Sequence, residues 1–350
     1  MNALLLSAYK QLDLASLPEP VAGQGELLIR VKACGICGSD VHGYDGSTGR
    51  RIPPIVMGHE AAGVVAGKGP GCVSFEIGDR VTFDSTVYCG RCAYCLHGQI
   101  NLCDHREVVG VSCGEYRRMG AFADFIVIPE RIAYRLPDAL RFEEAAMLEA
   151  AAVALHAVRL SEPKPDKTAL VLGAGMIGAL TAQAARVLGF STVIVADVDE
   201  SRLAMVRSLG FEQTLQLSGR ELTARILELT SGAGVDAVLE AVGKPETVIT
   251  AIDSVKKGGR VMLVGNITPE VPLPLQKVVS RELRLQGCAA SAGEYPLAIE
   301  LIAAGRMQVA PLITAVAALE EGPAWFERLY RRESGLMKVV LTPDGAGELR

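Results

Sequence analysis

The sequence has no excess of positive charge and no long uninterrupted apolar run. Its 350 residues include 35 Lys and Arg against 40 Asp and Glu, a formal net charge of −5. Nucleic-acid-binding proteins usually carry a basic stripe, so that class is disfavoured. The most apolar stretch, residues 145–158, is interrupted by Glu149 and His156 and is shorter than the roughly 20 residues of a membrane helix. No basic N-terminal region precedes an apolar segment, so no secretory signal is predicted. We therefore expect a soluble, cytoplasmic protein without nucleic-acid or membrane partners.

Aromatic residues make up only 5% of the chain, but hydrophobic residues reach 49% and charged residues 21%. These values are near globular averages and exclude an intrinsically disordered chain. The length corresponds to about two domains, and the patterning changes near residue 143. Before that point, short β-branched segments are separated by Gly and Pro, which predicts strands. The predicted strands are Glu26–Ala33, Gly63–Ala66, Asp79–Phe83 and Ala123–Pro129.

The second half of the chain alternates strands with helices. A helix over Glu143–Leu160 is followed by a proline-rich linker at residues 163–165. The strands that follow are predicted at Thr168–Leu172, Thr192–Ala196, Asp236–Leu239, Arg260–Val264 and Lys338–Leu341. The helices are predicted at Met176–Leu188, Ser201–Leu209, Pro245–Val255, Pro296–Ala304 and Gly322–Arg331. Alternation with short loops predicts an α/β fold with a doubly wound parallel sheet.

A glycine-rich turn follows the first strand of this alternating part. Gly173, Gly175 and Gly178 form the pattern G-x-G-x-x-G between a predicted strand and a helix. Glycines in this position allow a tight turn, close approach of the backbone to a pyrophosphate, and close packing of the helix on the strand. Asp197 ends the next strand, with Asp199 as its competitor. A carboxylate there accepts hydrogen bonds from the adenosine ribose and repels a 2′-phosphate, which predicts NAD rather than NADP.

Nine cysteines are present, an odd number, and four of them fall within fifteen residues. Cys89, Cys92, Cys95 and Cys103 have the spacing C-x2-C-x2-C-x7-C. Clustered cysteines in a cytoplasmic chain favour metal binding over disulfides. Four thiolates complete a tetrahedral site with no open position, which predicts a structural zinc. An iron–sulfur cluster is the alternative interpretation.

A second set of metal-ligand residue types lies in two short motifs, GICGSD at residues 35–40 and GHE at residues 58–60. These motifs, the four-cysteine segment and the later glycine pattern occur in an order that resembles the zinc-dependent medium-chain dehydrogenase/reductase family, in its polyol branch. The resemblance covers essentially the whole chain. It implies a β-rich, GroES-like catalytic domain (residues 1–158 and 291–350) split around a Rossmann domain (residues 159–290). The structural zinc segment would span about residues 86–106.

The resemblance assigns roles to individual residues. Cys37 and His59 would be ligands of a catalytic zinc, with Glu60, Glu149 or the two in exchange as the third ligand. Ser39 and His42 would carry a proton from the substrate hydroxyl toward solvent, and Asp40 would orient His59. The candidate cofactor residues are Gly173, Gly175, Met176, Ile177, Gly178, Asp197, Arg202, Val242, Val264 and Gly265.

The resemblance implies an enzyme that transfers hydride between NAD and a secondary hydroxyl of a polyol or sugar alcohol, with two zinc ions per chain. A homodimer or homotetramer is expected. Alternatives are an L-threonine or simple secondary-alcohol dehydrogenase, or a non-catalytic relative that only binds the cofactor. A phosphorylated, galactitol-1-phosphate-like substrate could meet arginines that otherwise would be solvated, namely Arg50, Arg51, Arg117, Arg118 and Arg281. One departure from the branch is the residue after Glu149, which is Ala150 where a proline is usual.

Overall fold

The computed structural model describes residues 1–345, with the backbone alone for Glu115. It divides into two compact units. The first unit contains Met1–Glu149, Ser291–Ala304 and the chain from Val309 onward, and the second contains Ala150–Ala290 and Gly305–Gln308. The last five residues of the predicted segment 291–350 lie outside the described part of the chain. No helix in the described residues is long and apolar enough to cross a membrane.

The strands are numbered in chain order. They are β1 (Asn2–Ala8), β2 (Gln11–Ser16), β3 (Glu26–Gly35), β4 (Ile55–Val56), β5 (Glu60–Lys68), β6 (Arg80–Phe83), β7 (Thr86–Val87), β8 (Glu107–Val108), β9 (Phe125–Pro129), β10 (Ala133–Arg135), β11 (Thr168–Leu172), β12 (Thr192–Ala196), β13 (Thr214–Leu215), β14 (Val235–Glu240), β15 (Val255–Leu263), β16 (Arg284–Gly287), β17 (Ile313–Ala318) and β18 (Lys338–Thr342).

The α-helices are numbered in the same way. They are α1 (Gly38–Tyr44), α2 (Ala93–Leu96), α3 (Phe142–Ala145), α4 (Leu148–Leu160), α5 (Met176–Val187), α6 (Glu200–Ser208), α7 (Gly219–Leu229), α8 (Pro245–Ser254), α9 (Leu275–Ser280), α10 (Tyr295–Ala303) and α11 (Gly322–Tyr330).

The first unit is built around the long strand β3. This strand pairs antiparallel with β5, β9 and β18, in a sheet of order β10-β6-β5-β3-β18-β17 to which β9 adds on β3. A second sheet has the order β2-β1-β4, and β7 pairs with β8. The core includes Phe326 of α11, whose ring lies 5.6 Å from that of Phe122 and 5.9 Å from that of Tyr44 in α1. Tyr44 therefore ties helix α1 to this core.

The second unit contains a six-stranded parallel sheet of order β13-β12-β11-β14-β15-β16. Buried Leu, Ile and Val side chains of its strands and of α7 and α8 form a separate core. This arrangement confirms the predicted doubly wound parallel sheet. In such a sheet, ligands bind at the carboxyl ends of the strands, where the strand order reverses. Here that point is between β11 and β14, and the glycine-rich turn follows β11 directly.

Several features of the chain differ from the sequence-based expectations, among them the following three. The predicted helix over Glu143–Leu160 is two helices, α3 and α4, because Met147 N–H bonds the Glu144 carbonyl three residues back and tightens the chain between them. The division into units falls after Glu149, inside α4, rather than at residue 158. Gly305–Gln308 belongs to the second unit, where the Gln308 backbone exchanges two hydrogen bonds of 2.7 and 3.0 Å with the Gln183 side chain.

Candidate metal centres and dinucleotide site

Sheet register brings the two motifs of the predicted catalytic centre together. Strand β3 runs antiparallel to β5, with Gly35 opposite Glu60. Cys37 lies two residues beyond Gly35 and His59 lies one residue before Glu60, so the same register places both beside this pair. A Cβ on Gly35 would lie 2.5 Å from Glu60 Oε2, so the glycine leaves the space that the carboxylate occupies.

The side chains of Cys37, His59 and Glu60 each offer one ligand atom, and these three atoms lie within 4.8 Å of one another. Glu60 Oε1 is buried and has no hydrogen-bond partner in the described structure. A buried carboxylate oxygen without a partner is costly, and a cation beside it removes that cost. One thiolate, one imidazole and one carboxylate suit zinc and leave the fourth position open, as in catalytic sites. The residues present therefore fit the predicted metal.

Asp40 lies directly behind His59. Its Oδ1 is 3.4 Å from His59 Nδ1 and accepts hydrogen bonds from Arg51 Nε and Nη2 at 3.1 and 2.8 Å. Burial alone would raise the pKa of Asp40, but His59 and Arg51 hold that pKa well below its usual range. The charged carboxylate thus faces Nδ1, which leaves Nε2 of His59 available to a metal. This geometry supports the orienting role predicted for Asp40.

Glu60 has a cationic partner that the sequence motifs did not reveal. Lys338, at the start of β18, is only 2% exposed. Its ammonium group donates to Glu60 Oε2 and, at 3.1 Å, to the Ile36 carbonyl. Lys338 lies 278 residues from Glu60, so only the pairing of β18 with β3 could have indicated this contact.

Glu149 lies outside the three-residue donor group. It occupies the first turn of α4 and is half-buried. Burial raises the pKa of its carboxyl to about 7; His59 opposes this shift, while Glu60 and Asp84 add to it. The charges of His59 and Glu60 therefore act on Glu149, although its carboxylate is not one of the three donors. Its exchange with Glu60 on the metal stays a prediction.

Ser39 and His42 lie one turn apart on α1. Ser39 is exposed, and its Oγ donates to Cys37 Sγ at 3.3 Å while the Ser39 N–H donates to the same sulfur at 3.4 Å. His42 is half-buried in the last turn. Both side chains therefore lie on the helix that follows Cys37. The proposed proton path away from the metal would run along this helix.

The four clustered cysteines of the first unit bring their sulfur atoms within 4.8 Å of one another. Cys92 Sγ lies 3.5 Å from Cys95 Sγ and 3.9 Å from Cys103 Sγ, and Cys89 Sγ lies 4.0 Å from Cys95 Sγ. A tetrahedron with Zn–S bonds of about 2.3 Å has edges of about 3.8 Å. Backbone N–H groups of Arg91 and Cys92 lower the pKa of Cys89 to about 6, whereas burial raises the pKa of Cys95 to about 12 in the absence of a metal. These residues fit a structural zinc.

In the second unit, the glycine loop adopts the expected strand–turn–helix form. Gly173 has φ +97°, and a Cβ on Gly178 would lie 1.8 Å from the Gly173 carbonyl oxygen. Gly175 precedes α5, and a Cβ there would meet only Arg202 Nη1, at 3.9 Å. The space above Gly175 is therefore open at the N-terminus of a helix, where a pyrophosphate binds favourably. Met176 and Ile177 form the first turn of that helix.

Asp197 closes this loop from the neighbouring strand end. Its Oδ2 accepts from Ala174 N–H at 2.6 Å and lies 3.9 Å from Arg202 Nη1, while its Oδ1 accepts from Asp199 N–H at 2.9 Å. Asp199 instead caps α6, since its Oδ1 accepts from the Ser201 N–H and hydroxyl. Asp199 is therefore used as the cap of α6, and of the two candidates Asp197 is the carboxylate beside the glycine loop.

The ends of β14 and β15 meet beside this loop. Buried Glu240 accepts hydrogen bonds from the N–H groups of Val242 and Gly243 at 2.9–3.0 Å. A Cβ on Gly265 would lie 2.2 Å from Gly243 N, so the two strand ends touch backbone to backbone. Val264 joins this edge through its N–H, which donates to the Glu240 carbonyl at 2.9 Å. The organising role of Glu240 was not predicted from the sequence.

Three of the five arginines considered for phosphate binding are committed elsewhere. Arg51 is buried and paired with Asp40. It is therefore neither a solvated surface side chain nor free to bind a substrate phosphate. Arg118 pairs with Glu26 and Glu107 at 2.9 and 2.8 Å. Arg281 donates to the Ile252 and Val255 carbonyls. The remaining two, Arg50 and Arg117, are exposed.

Comparison with known proteins covers nearly the whole chain. Residues 23–138 match the family model described as alcohol dehydrogenase GroES-like domain, and residues 177–304 match that described as zinc-binding dehydrogenase. A zinc-type alcohol dehydrogenase-like protein of Escherichia coli is 36% identical over 343 residues, 96% of this chain and 97% of the relative. Sorbitol dehydrogenase of Bacillus subtilis is 31% identical over 348 residues, 98% of each chain. A zinc-binding dehydrogenase of Sinorhizobium meliloti, solved bound to NADP, is 30% identical with a TM-score of 0.88, over 98% of this chain and 99% of that one.

Proposed function

The chain belongs to the polyol branch of the zinc-dependent medium-chain dehydrogenase/reductase family, and from this premise we propose that it oxidises a secondary hydroxyl of an unphosphorylated polyol with NAD. It is an oxidoreductase that uses zinc and a nicotinamide dinucleotide. The observation that carries the proposal is the donor group of Cys37, His59 and Glu60. Zinc held by three side chains keeps an open position and can expand its coordination, so the site suits a substrate with neighbouring hydroxyls.

When bound, zinc supplies Lewis acidity that lowers the pKa of a substrate hydroxyl, and the dinucleotide accepts the hydride. The chain's own residues position these groups and move the proton. Cys37, His59 and Glu60 would hold the metal, with Asp40 fixing the His59 ring and Lys338 fixing Glu60. Ser39 would accept the substrate proton and pass it along α1 toward His42.

The unphosphorylated substrate is inferred from the arginines. A phosphate site is usually built from Arg or Lys side chains free to make two parallel hydrogen bonds. Three of the five candidates, Arg51, Arg118 and Arg281, already donate to groups within the protein, and the two that remain, Arg50 and Arg117, are exposed. The similarity to sorbitol dehydrogenase of Bacillus subtilis, which is named for a neutral polyol, supports the same inference.

The NAD preference is inferred from Asp197, the carboxylate that closes the glycine loop. Its negative charge would oppose the 2′-phosphate of NADP, while its remaining lone pairs would accept from the ribose hydroxyls. Arg202, half-exposed and 3.9 Å from Asp197 Oδ2, partly offsets that charge. We propose that the carboxylate decides the preference, because it is held in place by the loop itself.

A substrate panel tests the proposal. Sorbitol, xylitol and galactitol, galactitol 1-phosphate, L-threonine, 2,3-butanediol and 2-propanol would each be assayed by NADH absorbance with the zinc-loaded protein. We expect the highest kcat/KM for a neutral polyol, at least about tenfold above the others, which is about 1.4 kcal/mol of transition-state discrimination. Preference for L-threonine or a simple secondary alcohol would establish the corresponding alternative, and preference for the phosphate ester would refute the argument from the arginines.

Two further properties belong to this proposal. We propose a cytoplasmic location, because two clusters of metal-binding residues that include five cysteines require reduced thiols. We also propose a homodimer or homotetramer, as the resemblance implies. Light scattering of the purified protein would test the oligomeric state.

A further inference from the structure

Arg51 is a buried cation at the catalytic centre that belongs to neither metal motif. It is 2% exposed. Its Nε and Nη2 donate to Asp40 Oδ1, and Nη2 also lies 3.2 Å from Ser39 Oγ, to which it donates. One guanidinium therefore holds two successive side chains in the first turn of α1, directly after Cys37.

The backbone of α1 is shaped to receive this side chain. A Cβ on Gly43 would lie 2.2 Å from Arg51 Cγ and 3.0 Å from Arg51 Cβ. Gly43 lies three residues after Asp40, on the same face of the helix. The aliphatic part of Arg51 thus crosses α1 where the helix has no side chain, and its charged end reaches the first turn.

These contacts determine where the Ser39 hydroxyl points. Its oxygen accepts from Arg51, and it donates to Cys37 Sγ at 3.3 Å. We propose that Arg51 is a positioning residue that holds the Ser39 hydroxyl beside the metal-binding sulfur for proton transfer; this inference rests on the proposed dehydrogenase function. The guanidinium suits this role because its planar fork holds two acceptors in fixed directions, whereas the donors of an ammonium group rotate on a flexible stem.

The choice of variants follows from the charges. Arg51→Met would leave the buried Asp40 carboxylate without its cation, and such a change can prevent folding. Arg51→Lys keeps the charge but loses the two-acceptor geometry. Gly43→Ala alters no charged group, but its added Cβ would displace the aliphatic part of Arg51 from the surface of α1. Arg328→Lys is the matched control, because Arg328, whose side chain is 41% exposed, donates to both oxygens of Glu333 at 2.6 and 2.7 Å.

Each zinc-loaded variant would be measured in three ways: kcat and KM on the best polyol of the panel, with and without added imidazole; zinc per chain; and hydrogen exchange of the α1 amides. For Arg51→Lys and Gly43→Ala we expect kcat to fall about tenfold or more, since a positioned proton acceptor contributes at least this much. Zinc content should stay at two per chain. Imidazole, a diffusible base, should restore most of the lost kcat, and exchange in α1 should be several-fold faster. Arg328→Lys should match wild type in every measurement.

Unchanged kcat and unchanged exchange in both variants would overturn the positioning role. Lost activity accompanied by lost zinc, or lost activity that imidazole does not restore, would also overturn it in favour of a structural role. If wild type with two zinc ions oxidises no alcohol in the panel, the proposed function fails instead. In that case hydrogen exchange decides the Arg51 contact separately, because faster exchange in the two variants alone would still show that Arg51 holds α1.

Discussion

Removing the Lys338 ammonium group should destabilise the metal-free protein far more than the zinc-loaded one. Lys338 and Glu60 form an ion pair in which the side chains are 2% and 1% exposed. Lys338→Met keeps the aliphatic stem but leaves the Glu60 carboxylate buried without its cation. Breaking a buried pair in this way costs about 3–5 kcal/mol, which lowers Tm by on the order of 10 °C in a unit of this size.

Zinc changes this cost because it places a second cation beside Glu60. Glu60 Oε1, the oxygen that Lys338 does not contact, has no hydrogen-bond partner in the described structure. With a metal there, the variant retains a positive charge next to the carboxylate. We therefore expect the zinc-loaded protein to lose less than half of the unfolding free energy that the metal-free protein loses. By linkage, the difference between the two losses equals a gain in zinc binding by the folded variant. A difference of about 2 kcal/mol corresponds to roughly thirtyfold tighter binding.

Thermal and urea unfolding of chelator-stripped and zinc-loaded protein would measure both losses. Lys68→Met is a suitable control, because Lys68 pairs with Glu76 at 2.8 Å while Glu76 is 76% exposed. A pair of that kind contributes at most about 1 kcal/mol, with or without zinc. Equal losses for Lys338→Met in the two forms, or a loss in stripped protein no larger than that of Lys68→Met, would refute the reasoning.

Four more predictions follow from the sites. Wild type should prefer NAD over NADP at least about tenfold, about 1.4 kcal/mol, and Asp197→Ala should lose the preference; equal rates with both cofactors in wild type would contradict the assignment. Elemental analysis should find two zinc ions per chain, with Cys92→Ser less stable and Cys37→Ser folded but inactive; one zinc in wild type would remove one site. Glu149→Ala should lower kcat at least about tenfold, about 1.4 kcal/mol, with only partial zinc loss, whereas full activity would exclude Glu149 from the centre. Burial raises the pKa of Asp84 to about 6, so its proton stabilises the fold at low pH, and stability should fall as pH rises from about 4 to 6; Asp84→Asn should flatten this dependence in urea midpoints, and an unchanged slope would show that another group causes it.

The parallel sheet, the glycine turn and the four-cysteine cluster could be predicted because their signals are local, whereas the roles of Cys37, His59 and Glu60 were expected only from the family resemblance. The glycine pattern sits between β11 and α5, and the four clustered thiols need only the fifteen residues that contain them. Strand β11 and strand β12 have the predicted bounds, because buried parallel strands appear as short continuous apolar runs. Local patterns of this kind do not depend on the rest of the fold.

Contacts that depend on the tertiary structure could not be predicted. Lys338 reaches Glu60 only through the pairing of β18 with β3, and Arg51 reaches Asp40 only because α1 carries a glycine where it crosses. In the sequence, both look like ordinary surface cations. Helix α7 was also missed, although its buried residues, Leu222 and Ile226, lie four residues apart on one face as in an amphipathic helix.

The register of β3 against β5 has a consequence for how the two metal sites are loaded. Cys37 follows the end of β3 and His59 precedes the start of β5, so their site does not exist until these two strands have paired. The four-cysteine cluster, in contrast, has all its ligands between Cys89 and Cys103, and an unfolded chain can bring these four sulfurs around one ion without any strand pairing. A ligand that also binds the unfolded chain stabilises the native state less than its affinity suggests. During synthesis, the four-cysteine cluster should therefore bind zinc first. The proposed catalytic centre should bind zinc only after the sheet has formed.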